Sequence, residues 1–189
     1  MKFLVFYNGG LPRVLKYTDI RSYLFTVIFI GFSVAVPWSL HQFPLAGATF
    51  LPMQFFVFVA GLIFGWRAGI VIGLLSPLIS YGVAGMPALS ILPQIMIELS
   101  VYGLVAGVLI EKFSLGLFCS LLVAMIAGRG ALLLFITVQG YFGAVSNPVG
   151  PANSTFSVLW ATIIQSWPGI VIQLIGVPFV ASFMQKRLG

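Results

Sequence analysis

Two side chains in this 189-residue chain are placed to do chemistry, Arg129 and Glu98. Arg129 sits in Ala127-Gly128-Arg129-Gly130-Ala131, inside a long apolar run. A charge buried in a membrane helix is expensive and is functional by default. It lies about ten residues from the outer end of its segment, so about 15 Å deep at 1.5 Å per residue. Snorkelling to an interface is difficult from there. The small residues on either side leave room for the long side chain or for a ligand. Glu98 lies about seven residues, or about 10 Å, from the outer end of the preceding segment. The similar depths allow two readings: an internal salt bridge, or a site where Arg129 meets an anionic or polar ligand group and Glu98 a donor. Both hold if the pair opens to admit substrate. The guanidinium fork suits carboxylate or phosphate.

The residue supply excludes most other chemistry. The chain has one histidine, His41, one cysteine, Cys119, and three acids, Asp19, Glu98 and Glu111. Asp19 and Glu111 fall away from Glu98, on the cytoplasmic side. A catalytic triad, a paired-carboxylate site or a metal site has no material. No G-x-x-x-x-G-K-[ST] stretch is present, so nucleotide binding by a P-loop is excluded. No enzyme, no cofactor and no metal are expected. Binding or transport remains.

The elements that must position the pair follow from composition. Hydrophobic residues make up 60% of the chain and charged ones 6%, against about 25% charged in soluble domains. Uninterrupted apolar segments argue against a membrane barrel. The expected fold is an all-α integral membrane protein, one membrane domain over residues 1–189 with a cytoplasmic arm over 1–19. Six helices are expected at about 20–40, 51–66, 68–84, 91–110, 113–139 and 155–184. Gly65-Trp66-Arg67-Ala68-Gly69 supplies the turn between the short second and third segments. A single kinked span with a re-entrant piece is the alternative there. Pro168 and Pro178 should kink or tilt the long sixth segment.

The basic residues fix the orientation. Lys2, Arg13, Lys16 and Arg21 precede or open segment one. Arg67 and Lys112 lie in the second-to-third and fourth-to-fifth turns, and Lys186 and Arg187 in the tail. With six spans all eight fall on one side, which puts both termini in the cytoplasm. Spread between apolar segments, they form no nucleic-acid face. The opposite loops are uncharged and hold Gly, Pro, Asn and aromatic residues, a composition suited to lids over a cavity or to plain connectors. Besides Arg129 and Glu98, the outer half offers Gln54, Tyr81, Gln94, Gln139, Trp160 and Gln165, with His41 and Asn147 in the loops. A lone Gln in a membrane helix is more often a helix-to-helix hydrogen bond than a ligand group. Gly31 and Ala35 form a small-xxx-small pair that flattens one face of the first helix, for packing within the chain or for docking a partner.

Phe50-Leu51-Pro52-Met53-Gln54, Ala60-Gly61-Leu62-Ile63-Phe64-Gly65, Gly73-Leu74-Leu75-Ser76-Pro77-Leu78, Gly85-Met86-Pro87 and Glu98-Leu99-Ser100-Val101-Tyr102-Gly103-Leu104-Val105-Ala106-Gly107 occur in this order. Over about Phe50 to Arg129 the chain resembles the substrate-binding S components of energy-coupling factor (ECF) transporters. The resemblance implies six membrane helices, a vitamin or related micronutrient bound near the outer face, and docking on a transmembrane coupling subunit driven by two ATPases. It implies residence in the cell membrane. In the family the first-helix motif is usually written with two alanines; here Gly31 takes the first place and Ala35 the second. The Pro-Met-Gln start of helix two is most similar to the branch that includes pantothenate transport, in which a His often follows the Met where Gln54 stands here. Pantothenate is the first ligand expectation, because its carboxylate would suit Arg129. A structural membrane subunit without a small ligand and a stand-alone ion-coupled transporter are the alternatives.

Overall fold

A computed structural model describes residues 20–40, 52–141 and 155–188. All secondary structure among them is helical: α1 (Ile20–Leu40), α2 (Pro52–Phe64), α3 (Trp66–Ala84), α4 (Leu92–Glu111), α5 (Leu117–Tyr141) and α6 (Thr155–Leu188). By length and composition α3, α4, α5 and the stretch Trp160–Gln185 of α6 can each cross a membrane. α1 and α2 offer the shorter apolar stretches Tyr23–Ser39 and Pro52–Phe64.

α2 is the centre of the bundle. Its 13 residues span only about 20 Å at 1.5 Å per residue, less than a hydrocarbon core of about 30 Å. Every residue from Val57 to Phe64 is buried. A helix apolar on all sides has no lipid or water face to keep, and α1, α3, α4 and α6 pack around it. One core joins all six helices, with Phe29, Phe58, Ile72, Tyr102, Leu121 and Val177 among its members. On the α1 side, Phe25 and Phe29 pack on Phe64 with centroids 5.5 and 5.4 Å away. The buried hydroxyls of Ser33 and Ser76 hydrogen-bond at 2.5 Å and tie α1 to α3.

α2 and α3 are separate helices folded back on one another. The break is a single residue, Gly65, at φ 85°, a conformation open to glycine without Cβ strain. The expected turn was five residues wide; Trp66 and Arg67 instead open α3, where Arg67 lies over the Trp66 ring at 5.2 Å. α4 fills the angle of this hairpin. A Cβ on Gly61 would come within 2.8 Å of the Gly103 carbonyl oxygen, and one on Gly69 within 2.5 Å of the same atom. A Cβ on Gly107 would strike the backbone of Trp66. The three helices therefore meet backbone to backbone, as small residues spaced by four permit. Gly73 lies against Leu99 in the same way, fixing an antiparallel α3–α4 register.

The helix ends follow local chemistry. α3 stops at Gly85, left-handed at φ 67°, whose N–H bonds to the Tyr81 carbonyl at 2.8 Å. α4 opens with a proline in its first turn, where the missing N–H has no helical partner anyway. α5 begins at Leu117, not at Phe113 as the apolar run suggests. Ser114 turns the chain at φ 51°, and Phe113 is exposed. α6 is 34 residues long, runs through Pro168 and Pro178, and ends at Leu188 rather than at 184. It packs chiefly on α2 and α5.

Candidate functional site

Glu98 occupies the second turn of α4, and Tyr102 follows one helical turn later on the same face. Tyr102 is fully buried against Phe58 of α2, with ring centroids 4.7 Å apart. Its ring lies where a Cβ on Gly128 of α5 would be. The glycine before Arg129 thus makes room for Tyr102, and the neighbouring residue, Arg129, is brought alongside α4.

The result is a four-residue polar cluster inside the bundle. Arg129 Nη1 lies 2.8 Å from Glu98 Oε1. The Tyr102 hydroxyl donates to the same oxygen at 2.6 Å. Arg129 Nη2 donates to Ser166 Oγ of α6 at 3.1 Å, and Ser166 donates onward to the Thr162 carbonyl at 2.7 Å. The side chains of Arg129 and Glu98 are 13% and 7% exposed. Arg129 stands twelve residues from either end of α5, about 18 Å at 1.5 Å per residue, so it lies midway along that helix. The cluster's residues come from three helices, α4, α5 and α6.

A cavity of about 430 Å³ adjoins the cluster, within the range of about 300–1,000 Å³ typical of small-ligand sites. Met125, Ile126, Arg129 and Gly130 of α5 form one wall and Ile163 and Ile170 of α6 the other. Gln54 of α2 and Tyr102 of α4 complete the lining. The lining is apolar except at Gln54, Tyr102 and Arg129. Gly130 has open space where a Cβ would be, so the second glycine of Gly128-Arg129-Gly130 borders the cavity while the first receives Tyr102.

The remaining residues singled out from the sequence are distributed as follows. Gln54 is buried and lines the cavity with Arg129. Gln94 is buried and its side-chain amide donates to Gln139 at 2.9 Å, a helix-to-helix bond between α4 and α5. Tyr81 is half-buried near the end of α3, a helix that does not line the cavity. Gln165 is half-buried beside Ser166, and Trp160 is exposed. His41 and Asn147 lie outside the described residues. Gly31 and Ala35 are both exposed on α1, and nothing stands within 4 Å of a Cβ placed on Gly31. Among the described residues no group of three His, Cys, Asp or Glu could hold a metal ion.

Tyr102 and Ser166 were not singled out by their chemistry. Tyr102 carried a signal, its four-residue spacing from Glu98 on a helix. A lone Ser166 in an apolar helix carried none.

Fold and site together define a helical membrane protein with a buried ion pair whose arginine lines an apolar cavity. A family model described as "ECF transporter, substrate-specific component" matches residues 21–181. The chain belongs to that family, and is a membrane transport subunit of the kind that binds a small substrate and partners with ECF subunits. No curated protein and no solved structure matches the chain.

Proposed function

We propose that this substrate-specific component captures a vitamin or related micronutrient through an acid group set against Arg129, and that pantothenate is the first compound to try. The observation that carries the reading is that Arg129, the buried cation of the bundle, lines a ligand-sized apolar cavity. Arg129 has five N–H donors, and the Glu98 and Ser166 contacts engage two of them. Gln54 and Tyr102 line the same cavity, where Gln54 can meet a polar group on the ligand body. In this reading six helices span the plasma membrane with both termini in the cytoplasm. The end with the uncharged loops faces outward, and the basic turns at Arg67 and Lys112 face inward. The exposed Gly31–Ala35 face of α1 meets a transmembrane coupling subunit, which two ATPase subunits drive.

Mass spectrometry of small molecules retained through purification, followed by binding measurements with pantothenate, tests the reading. Arg129→Ala should lose binding by at least about a hundredfold, since a charge-assisted hydrogen bond contributes about 1.5–3 kcal/mol and more than one is expected. Gly130→Leu provides a variant with the ion pair intact. It fills the cavity from a position with open space, so it should abolish binding while leaving thermal stability unchanged. Wild-type affinity in both variants would remove the cavity from the function.

A further inference from the structure

The ion pair raises a problem for any acidic ligand, and this inference rests on the reading of Arg129 as the ligand's anchor. Arg129 is already neutralised by Glu98 at 2.8 Å. A second carboxylate at the same guanidinium would leave two negative charges on one positive charge, in a largely buried site. An uncompensated charge in a membrane interior is strongly disfavoured. Glu98 cannot leave for water, because it is 5% exposed and held on α4 at the Tyr102 hydroxyl.

We infer that an acidic ligand binds by carboxyl exchange: its carboxylate takes the place of Glu98 on Arg129, and Glu98 takes up one proton from the aqueous phase. The balance closes. Before binding, the site holds Arg129 as cation and Glu98 as anion. Afterwards it holds the same cation, the ligand anion and a neutral Glu98 carboxyl, the ligand's charge having arrived with one proton. The surroundings suit a neutral carboxyl. The Tyr102 hydroxyl still donates to Oε1, as it does to the carboxylate. For a carboxyl with the ordinary glutamate pKa of about 4.3, protonation at pH 7 costs about 500-fold, a factor that an affinity in the nanomolar range can absorb.

Few other groups can supply or take this proton. On its own helix Glu98 faces Tyr102, and from α5 it faces Arg129. α2, which also packs on α4, carries no titratable side chain. The titratable residues of α3 are Arg67, at its start, and Tyr81. Tyr81 lies about 12 Å along the helix from Gly73, the residue level with Leu99. Cys119 and Tyr141 of α5 lie toward the two ends of that helix, and α6 has none between Trp160 and Gln185.

The test is isothermal titration of the full-length protein in lipid nanodiscs with pantothenate, biotin, lipoate and nicotinate as probes. Paired buffers of high and low ionisation enthalpy count the protons taken up. The expected result is about one proton taken up per acid bound, with affinity falling about tenfold per pH unit between pH 7 and 9. In Glu98→Gln the neutral amide keeps an oxygen for Tyr102 and Arg129. It should bind the same acid more tightly at pH 8, with no proton uptake and no pH slope. An acid that binds wild type without proton uptake overturns the exchange while leaving Arg129 as anchor. A pH slope that survives in Glu98→Gln assigns the proton elsewhere and overturns it as well. If none of the four acids binds wild type or Glu98→Gln, the acid-anchor reading fails and the exchange falls with it.

Discussion

Replacing one member of the Glu98–Arg129 pair should be far more damaging than replacing both. The two side chains are 7% and 13% exposed and 2.8 Å apart. Removing one partner of such a pair leaves the other as an uncompensated buried charge, which costs about 3–5 kcal/mol. Glu98→Leu also strands the Tyr102 hydroxyl, and Arg129→Met the Ser166 hydroxyl, each adding about 1 kcal/mol. Glu98→Leu with Arg129→Met together removes both charges and keeps the volume, a change that is often close to neutral in soluble proteins. The three variants and wild type form a double-mutant cycle with an expected coupling energy of at least about 3 kcal/mol. For a chain of this length each single variant should lower the unfolding midpoint by about 8–24 °C, at about 2–4 °C per kcal/mol. The double variant should recover most of that loss. Thermal unfolding in one fixed detergent, followed by tryptophan fluorescence, reads all four proteins. Additive losses, or a coupling energy below about 0.5 kcal/mol, would refute the idea that the pair is buried and tightly coupled.

Gly128→Ala should displace Tyr102 from Glu98 at a cost of about 1–3 kcal/mol, and Gly128→Ala combined with Tyr102→Leu should regain stability lost by the first change; thermal unfolding checks both. Gly103→Val should impair folding, because its side chain would enter the Gly69 backbone. Gly31→Leu, in open space on α1, should leave the unfolding midpoint within about 2 °C of wild type yet weaken co-purification with the coupling subunit; normal assembly in that variant would remove the α1 face from docking.

The helices were legible because lipid-facing and core-facing positions are both apolar, so whole segments read as uninterrupted runs. Their ends were less so. Phe113 belongs to an apolar run but precedes the turn at Ser114, where backbone geometry ends the helix and composition does not. The short α2 was visible in outline, whereas its central place was not, since a membrane helix surrounded by protein and one surrounded by lipid share the same composition. Gly61, Gly65, Gly69 and Gly73 recur every four residues, as do Gly103 and Gly107. The spacing was on view, but glycine is common in membrane helices, and only the folded chain shows which of these faces meet.

The site was legible to the extent that charge is rare. Once eight basic residues are assigned to loops and tails, Arg129 remains, and of the three acids only Glu98 shares its depth; the structure brings the two into contact. The cavity beside them was invisible, because Met125, Ile126, Ile163 and Ile170 have nothing to distinguish them from lipid-facing neighbours.

The cluster's position between two kinds of packing explains why a cavity is there at all. On one side α2, α3 and α4 are locked by glycine contacts that admit no side chain, and Tyr102 is wedged between Phe58 and Gly128. That half fixes Glu98 with little freedom. On the other side α5 and α6 face the cavity with the larger side chains of Met125, Ile126, Ile163 and Ile170, and the Ser166 hydroxyl meets Arg129. Side chains that large cannot close the helices to backbone contact, and the gap they leave is the cavity. Arg129 belongs to both halves, since one nitrogen holds the rigid side through Glu98 and the other holds α6 through Ser166. In the proposed exchange, a ligand acid group that displaced Glu98 would act on the junction itself, loosening Arg129 from α4 while the Ser166 contact to α6 remained.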